Sequence, residues 1–265
     1  MKFWKYQGAG NDFIMVDQRQ KQWLTRTDTD RIARLCDRRF GIGADGLILL
    51  ESKSGFDFEM IYFNADGRES TMCGNGGRCI AAFAHHLGIV GEKCLFHAID
   101  GPHEASIRAE TADNCWVELK MIDVQQVEYD KDAYVLNTGS PHYVQFVSQL
   151  DQKDMVREGK AVRYGERFKQ EGINVNLIES NPDGTLKIRT YERGVEDETL
   201  ACGTGVTAAA IAAFIRQKAP LGDFEIPVHA RGGDLAVRFS AQADGSFSQI
   251  WLCGPAVRVF EGTIQ

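Results

Sequence analysis

Basic charge is scarce in this sequence. Lys and Arg number 30 against 37 Asp and Glu, a formal net charge of −7. A protein that grips a phosphate backbone needs a basic surface, so nucleic acid is not an expected partner. Long apolar runs are missing as well. The longest, Ala208 to Ile215, falls far short of the roughly 20 residues that cross a bilayer, so no membrane partner is expected. The opening Met1-Lys2-Phe3-Trp4-Lys5-Tyr6-Gln7 carries no apolar signal core. These absences predict a soluble, cytoplasmic protein. Metal and disulfide patterns are absent too. The seven cysteines (Cys36, Cys73, Cys79, Cys94, Cys115, Cys202 and Cys253) are odd in number, and no two form a Cys-x-x-Cys pair. That argues against a disulfide framework and against a structural zinc site, and no metal is expected. With 43% apolar and 25% charged residues, the 265-residue chain is neither disordered nor fibrous. It is long enough for one large domain or two of about 130 residues.

Two of the cysteines sit in matching company. Glu69-Ser70-Thr71-Met72-Cys73-Gly74-Asn75-Gly76 is followed, 129 positions later (202 minus 73), by Glu198-Thr199-Leu200-Ala201-Cys202-Gly203-Thr204-Gly205. The same gap-free shift carries Tyr62 onto Tyr191, Gly10-Asn11 onto Gly139-Ser140, Gly43 onto Gly172 and Asp45 onto Asn174. A shift near half the chain length predicts two equivalent halves. The expected domains are residues 1–120, carrying Cys73, and 121–265, carrying Cys202, with the last strand packing back on the first domain. The acidic stretch Asp123 to Asp132 is the expected joint. Facing halves would present Cys73 and Cys202 to one ligand from opposite sides, in the kind of cleft that ligands prefer.

Alternation and turn signals predict strands at Asp57 to Asn64, Thr185 to Glu192, Leu47 to Glu51, Asn174 to Glu179, Lys93 to Ile99, Ala105 to Ala109, Cys115 to Met121, Glu225 to Ala230 and Leu235 to Phe239. Alanine-rich, almost wholly apolar segments predict buried helices at Gly77 to Leu87 and Val206 to Lys218. More polar helices are expected at Asp28 to Arg38 and Lys153 to Tyr164. The predicted class is α+β: two pseudo-symmetric domains, each a mostly antiparallel sheet wrapped around a central apolar helix.

Cys73 and Cys202 each precede a central helix and are followed by Gly-x-Gly. Small residues let backbone N–H groups approach a ligand, and a helix N-terminus favours both a thiolate and a bound carboxylate. Two thiols tuned in this way suit a two-base racemase, in which one takes the α-proton and the other returns a proton to the opposite face. A structural turn is the ordinary reading of a single Cys-Gly-x-Gly; two copies in a repeat favour the chemical one. A redox pair joined as a Cys73–Cys202 disulfide is a rival. His85 and His86 fall on the polar end of a helix and are expected at the surface.

Several blocks together resemble the diaminopimelate epimerase family along nearly the whole chain. They are Gly8-Ala9-Gly10-Asn11-Asp12-Phe13, Phe40-Gly41-Ile42-Gly43-Ala44-Asp45-Gly46, Phe63-Asn64-Ala65-Asp66-Gly67, Met72-Cys73-Gly74-Asn75-Gly76 with Arg78, Tyr191-Glu192-Arg193-Gly194, Ala201-Cys202-Gly203-Thr204-Gly205, Gly232-Gly233-Asp234-Leu235 and Gly254-Pro255-Ala256. The resemblance implies a cofactor-independent epimerase of lysine biosynthesis that interconverts L,L- and meso-diaminopimelate, with Cys73 and Cys202 as acid–base pair. It implies that Gly74-Asn75 and Gly203-Thr204 hold the reacting carboxylate. Asn11, Asn64, Asn174 and Arg193 would bind substrate, with Arg193 on the distal carboxylate, where an arginine fork is well suited. Glu192 would take a substrate ammonium and, with His142, tune the thiols; a surface ion pair for Glu192-Arg193 and a turn role for His142 are the alternatives. Phe260 falls where the family often has an aromatic at its dimer contact, so a homodimer is expected, with a small-molecule substrate as the other partner. Three features depart from the family. Ser140 stands where asparagine is common and would reach substrate through water. Gly46 stands where some relatives have glutamine. The Gly194 to Leu200 loop is a residue longer than in many members. Another two-thiol racemase, for proline or hydroxyproline, is the nearest alternative, although those relatives usually carry histidine at the position of Asn75.

Overall fold

The computed structural model describes the whole chain, Met1 to Gln265. Two compact units divide it: Met1–Leu119 with Gly254–Gln265, and Lys120–Cys253. No helix is long and apolar enough to cross a membrane.

The first unit opens with the hairpin β1 (Lys2–Gly8) and β2 (Asn11–Asp17), turned at Ala9 and Gly10, both with positive φ. Helix α1 (Thr29–Cys36) crosses over to β3 (Gly46–Glu51), which lies parallel to β2 with Phe13 opposite Gly46. Strand β4 (Phe58–Asn64) returns antiparallel and pairs with the short β5 (Glu69–Ser70). Helix α2 (Gly74–His86) follows. Then β6 (Lys93–Ala98), parallel to β4, leads into the antiparallel meander of β7 (Gly101–Ala109) and β8 (Asn114–Lys120). Leu47 to Leu50 on β3 are completely buried, as expected of a strand covered on both faces. Leu47 and Leu49 join the cluster around Ile32 and Leu35 of α1. Ile48, on the alternate face, approaches Gly76 of α2.

The second unit repeats this plan. After β9 (Val127–Asp130) come the hairpin β10 (Ala133–Asn137) and β11 (Pro141–Phe146), the crossover helix α3 (Met155–Arg163), and β12 (Asn174–Ser180), parallel to β11 with His142 opposite Asn174. Next are β13 (Leu186–Glu192), β14 (Asp197–Thr199), helix α4 (Gly203–Gln217), β15 (Gly222–Ala230, parallel to β13), β16 (Gly233–Ala241) and the long β17 (Phe247–Thr263). The later part of β17 is grouped with the first unit, where it pairs with β8 and β1. The fold is therefore α+β, a mostly antiparallel sheet with a central apolar helix in each half. Residues Gly74 to Ala84 of α2 are all buried, and α4 is buried from Gly205 to Phe214; helices apolar on every side belong inside a core.

Three expectations need correction. The buried helices begin three residues earlier than expected, directly after each cysteine. Glycine lowers helix propensity, but here close packing decides: a Cβ on Gly77 would lie 2.9 Å from both Leu119 Cδ2 and Met72 Sδ. Asp123 to Asp132 is not a joint, because Val124 bridges to Phe247 and β9 pairs with β10 inside the second unit. The constant shift also slips in places. Leu47 faces Phe63 where Val175 faces Tyr191, a shift of 128 (175 minus 47, 191 minus 63), so Phe63 and not Tyr62 is the counterpart of Tyr191. The shift returns to 129 at the next pairing, where Phe63 meets Glu69 and Tyr191 meets Glu198. The residue that restores it lies in the Glu192–Asp197 turn, where Glu196 takes φ 59°. Its carboxylate accepts from Tyr164, Tyr191, Arg163 and the Gly194 N–H, which fix it there.

Candidate active site

In the first unit Cys73 is the N-cap residue of α2, with extended backbone (φ −93°, ψ 132°). Its thiol lies 3.6 Å from Asn11 Oδ1, which also accepts from Asn75 Nδ2 at 3.4 Å. Asn11, at the head of β2, is held by Asp45 Oδ2, which accepts from its Nδ2 at 2.7 Å. That bond fixes the amide so that its carbonyl oxygen faces Cys73. Asp45 in turn belongs to a charged group: Arg38 donates to Asp45 and to both oxygens of Asp12, and Lys5 lies 2.7 Å from Asp12. Burial raises the Asp12 carboxyl, but hydrogen bonds and charge from Arg38 and Lys5 outweigh it and hold Asp12 well below the usual carboxylate range. Beneath the helix start, the fully buried Arg78 donates to Asn75 Oδ1 at 2.9 Å and to the Gly74 carbonyl at 3.4 Å. Asn64 stands exposed at the end of β4.

In the second unit Cys202 is the N-cap residue of α4 (φ −111°, ψ 111°) and is largely buried. Thr204 Oγ1 lies 3.4 Å from its sulfur and 2.8 Å from Nε2 of His142. His142 is fully buried; burial, then the charge of Arg193, push its imidazole down to about 3. The ring is neutral at ordinary pH. Asn174 donates to Ser140 Oγ (2.8 Å) and to the Pro141 carbonyl (3.1 Å) and accepts from the Arg193 N–H (2.9 Å), so it shapes the loop that carries Arg193. Arg193 is exposed, with Nη1 donating to the Glu171 carbonyl. Burial pushes the Glu192 carboxyl up, opposed by a hydrogen bond with Thr199. A Cβ on Gly46 would lie 2.5 Å from the Phe63 carbonyl oxygen, so no side chain fits there without backbone movement.

The other thiols differ. Burial pushes Cys36, Cys79 and Cys94 up to about 12, and Cys115 is raised for the same reason. Such thiols are inert at neutral pH. No cluster of three or more His, Cys, Asp or Glu side chains could hold a metal ion.

Sequence reasoning missed the residues behind these groups: Asp45, Arg38 and Lys5 behind Asn11, and Asn176 and Thr190 behind His142. One signal was present. Asn174 and Asn176 alternate with Val175 and Leu177 at the start of β12, which puts both on the same face.

A model of the family described as diaminopimelate epimerase matches residues 3–127 and 134–259. The chain belongs to the diaminopimelate epimerase family. It is 49% identical to the diaminopimelate epimerase of Flavobacterium psychrophilum, covering 100% of each chain, and 43% identical to that of Chlorobaculum tepidum, over 97% of this chain and 98% of the relative. Solved structures share the fold at low identity. A Bacillus anthracis phenazine biosynthesis protein of the PhzF family gives a TM-score of 0.77 at 16% identity, covering 100% of this chain and 99% of that one. A probable proline racemase from Agrobacterium radiobacter gives 0.70 at 15%, covering 100% and 92%. The repeated sheet and central helix are thus shared with a phenazine biosynthesis protein and a probable proline racemase, and it is sequence that separates them.

Proposed function

We propose that this protein inverts one α-carbon of diaminopimelate, interconverting the L,L and meso forms in lysine biosynthesis, with Cys73 and Cys202 as the two acid–base groups. The observation that carries the reading is a cysteine at the N-cap of a buried, glycine-opened helix, present once in each half of a chain of this family. Inversion needs a proton taken from one face of a carbon and another delivered to the opposite face. A thiol in each unit supplies the two. The helix N-termini offer backbone N–H groups to the reacting carboxylate, through Gly74-Asn75 and Gly203-Thr204, and favour the thiolate form. Arg193 provides a guanidinium for the distal carboxylate. Glu192, raised by burial, offers its carboxyl group to a substrate ammonium, and the spare lone pair on Asn174 Oδ1 can accept from the same group. Asn11 and Asn64 complete the polar contacts, and His142 acts on Cys202 through Thr204. The chemistry calls for neither pyridoxal phosphate nor a metal.

The reading extends to a cytoplasmic homodimer. Val259 and Phe260 on β17 are 54% and 47% exposed, and the Phe260 ring meets Phe3 edge-on at 6.1 Å. Sedimentation should give twice the chain mass for the wild type and a smaller species for Phe260→Glu; a monomeric wild type would remove the dimer.

The test of function is deuterium uptake at the α-carbon from heavy water, with diaminopimelate and proline in parallel. Uptake by diaminopimelate is expected, falling about 100-fold or more in Cys73→Ser and in Cys202→Ser. Exchange with proline alone would replace the substrate. Full uptake in both variants would remove the two cysteines from the acid–base role, and no uptake with either substrate would leave a thiol-redox or binding role.

A further inference from the structure

The polar residues buried behind α4 form a hydrogen-bonded chain whose polarity can be worked out atom by atom. Asn176 on β12 is in register with Thr190 on β13, and His142 sits on the neighbouring β11; all three are almost fully buried. Asn176 Nδ2 lies 3.0 Å from the Tyr143 carbonyl oxygen, which can only accept, while its Oδ1 accepts from Thr190 Oγ1 at 3.0 Å. The Tyr143 carbonyl settles which end of the amide is which, and the Thr190 hydroxyl, which can donate, agrees with it. The same Nδ2 faces His142 Nδ1 at 3.0 Å, so Nδ1 accepts and carries no proton. The imidazole proton is then on Nε2, 2.8 Å from Thr204 Oγ1. The threonine oxygen accepts it, and its own hydroxyl hydrogen is left to turn toward Cys202 Sγ, 3.4 Å away.

We infer that Asn176 is a positioning residue: by holding His142 as the Nε2–H tautomer, it aims the Thr204 hydroxyl hydrogen at the sulfur of Cys202 and so favours the thiolate of that cysteine. The charged group that acts on the ring is Arg193, which, like burial, opposes a positive imidazole. His142 therefore passes on hydrogen-bond polarity and takes no proton from the thiol. The catalytic consequence rests on the role proposed for Cys202, whereas the polarity of the chain stands without it.

Two measurements on the intact protein test this. Nitrogen-15 NMR of the histidine rings, with His142 assigned by comparison with His142→Gln, should show Nδ1 bare and Nε2 protonated from about pH 6 to about pH 8. An Nδ1–H tautomer, or an imidazolium near neutral pH, overturns the inference. The second is the pH profile of iodoacetamide alkylation, read separately for the two cysteines by peptide mass spectrometry. In Asn176→Ala the midpoint for Cys202 should rise by about one unit, roughly a tenfold slowing near neutral pH, with that of Cys73 unmoved. Thr204→Val should reproduce the rise and Thr204→Ser should not. A Cys202 midpoint that stays put in Asn176→Ala, or one that moves together with Cys73, also overturns it. If Asn176→Ala does not fold, the wild-type NMR and the Thr204 pair decide. Failure of diaminopimelate exchange would overturn the epimerase reading and leave both of these outcomes intact.

Discussion

Gly76 and Gly205 are each the third residue of a buried helix, at the same place in the two halves. Alanine at either position gains the same helix propensity, about 1 kcal/mol over glycine. What the new methyl group meets is different. At Gly76 it would lie 3.1 Å from Ile48 Cδ1 and 3.4 Å from Met60 Cε, the tips of flexible side chains that can rotate aside. At Gly205 it would lie 2.4 Å from Asn176 Oδ1. The amide must retreat by about 1 Å to reach ordinary contact. Asn176 has nowhere to go without breaking bonds to His142, Tyr143 and Thr190. Losing two of the three costs about 2 kcal/mol, and overpacking adds about 2 kcal/mol more. Set against the propensity gain, Gly205→Ala should be destabilised by about 3 kcal/mol, while Gly76→Ala stays within about 1 kcal/mol of wild type. Urea denaturation followed by circular dichroism measures both, and the melting temperature of Gly205→Ala should fall by roughly 5–10 °C. Equal stabilities for the two variants, or a Gly205→Ala protein more stable than wild type, would show that Asn176 is not held as described.

Other consequences follow from the same geometry. Asp12, held below its usual range by Arg38 and Lys5, stabilises the fold above its unfolded value near 4 and loses that effect as pH falls. Asp12→Asn should therefore cost about 2 kcal/mol at neutral pH, with the gap to wild type closing in acid; a gap that does not change with pH would contradict the ion-pair account. Brief iodoacetamide treatment near neutral pH should label Cys73 and Cys202 well before Cys36, Cys79 and Cys94, whose buried thiols are pushed up to about 12; prompt labelling of any of those three would count against their burial. Gly46→Gln, which restores a residue some relatives carry, should destabilise the protein by about 2–3 kcal/mol, because the Cβ runs into the Phe63 carbonyl and the Tyr62 ring. Wild-type stability in that variant would mean that β3 can shift.

Much of the fold is legible in the sequence where the physical signal is local. The alanine-rich helices show themselves because they are apolar on every side, and β4 and β13 because they alternate up to a clear turn. The first turns of α2 and α4 are hidden because their glycines count against a helix locally and are required only by neighbours far away in sequence. The β1–β2 hairpin is hidden because Ala9 takes a turn conformation usual for glycine, and because Lys5 is buried through its pairing with Asp12 and its hydrogen bond to the Gly43 carbonyl. The same divide runs through the candidate site. Cys73, Cys202, Asn11 and Arg193 stand in linear motifs. Asn176 and Thr190 acquire their role from a parallel ladder and an antiparallel one, and no spacing along the chain encodes such a register.

That register also shows how the halves have diverged. Ile48 faces Tyr62 in the first unit as Asn176 faces Thr190 in the second, and Phe13 holds the place of His142. At these positions the first unit carries Ile48, Phe13 and Tyr62, with the Phe13 and Tyr62 rings in edge-on contact at 6.0 Å, where the second carries the polar Asn176, His142 and Thr190. Polar control of Cys73 comes instead from Asn11, whose carbonyl oxygen is turned to the sulfur by Asp45. A carbonyl can only accept, so it favours the protonated thiol; a hydroxyl turned by a neutral imidazole can donate, so it favours the thiolate. A carbon inverted by two thiols needs one that holds a proton and one that lacks it. On the proposed two-base role, identical backing would give both sulfurs the same preference for a proton, whereas amides locked with opposite polarity give Cys73 and Cys202 different ones.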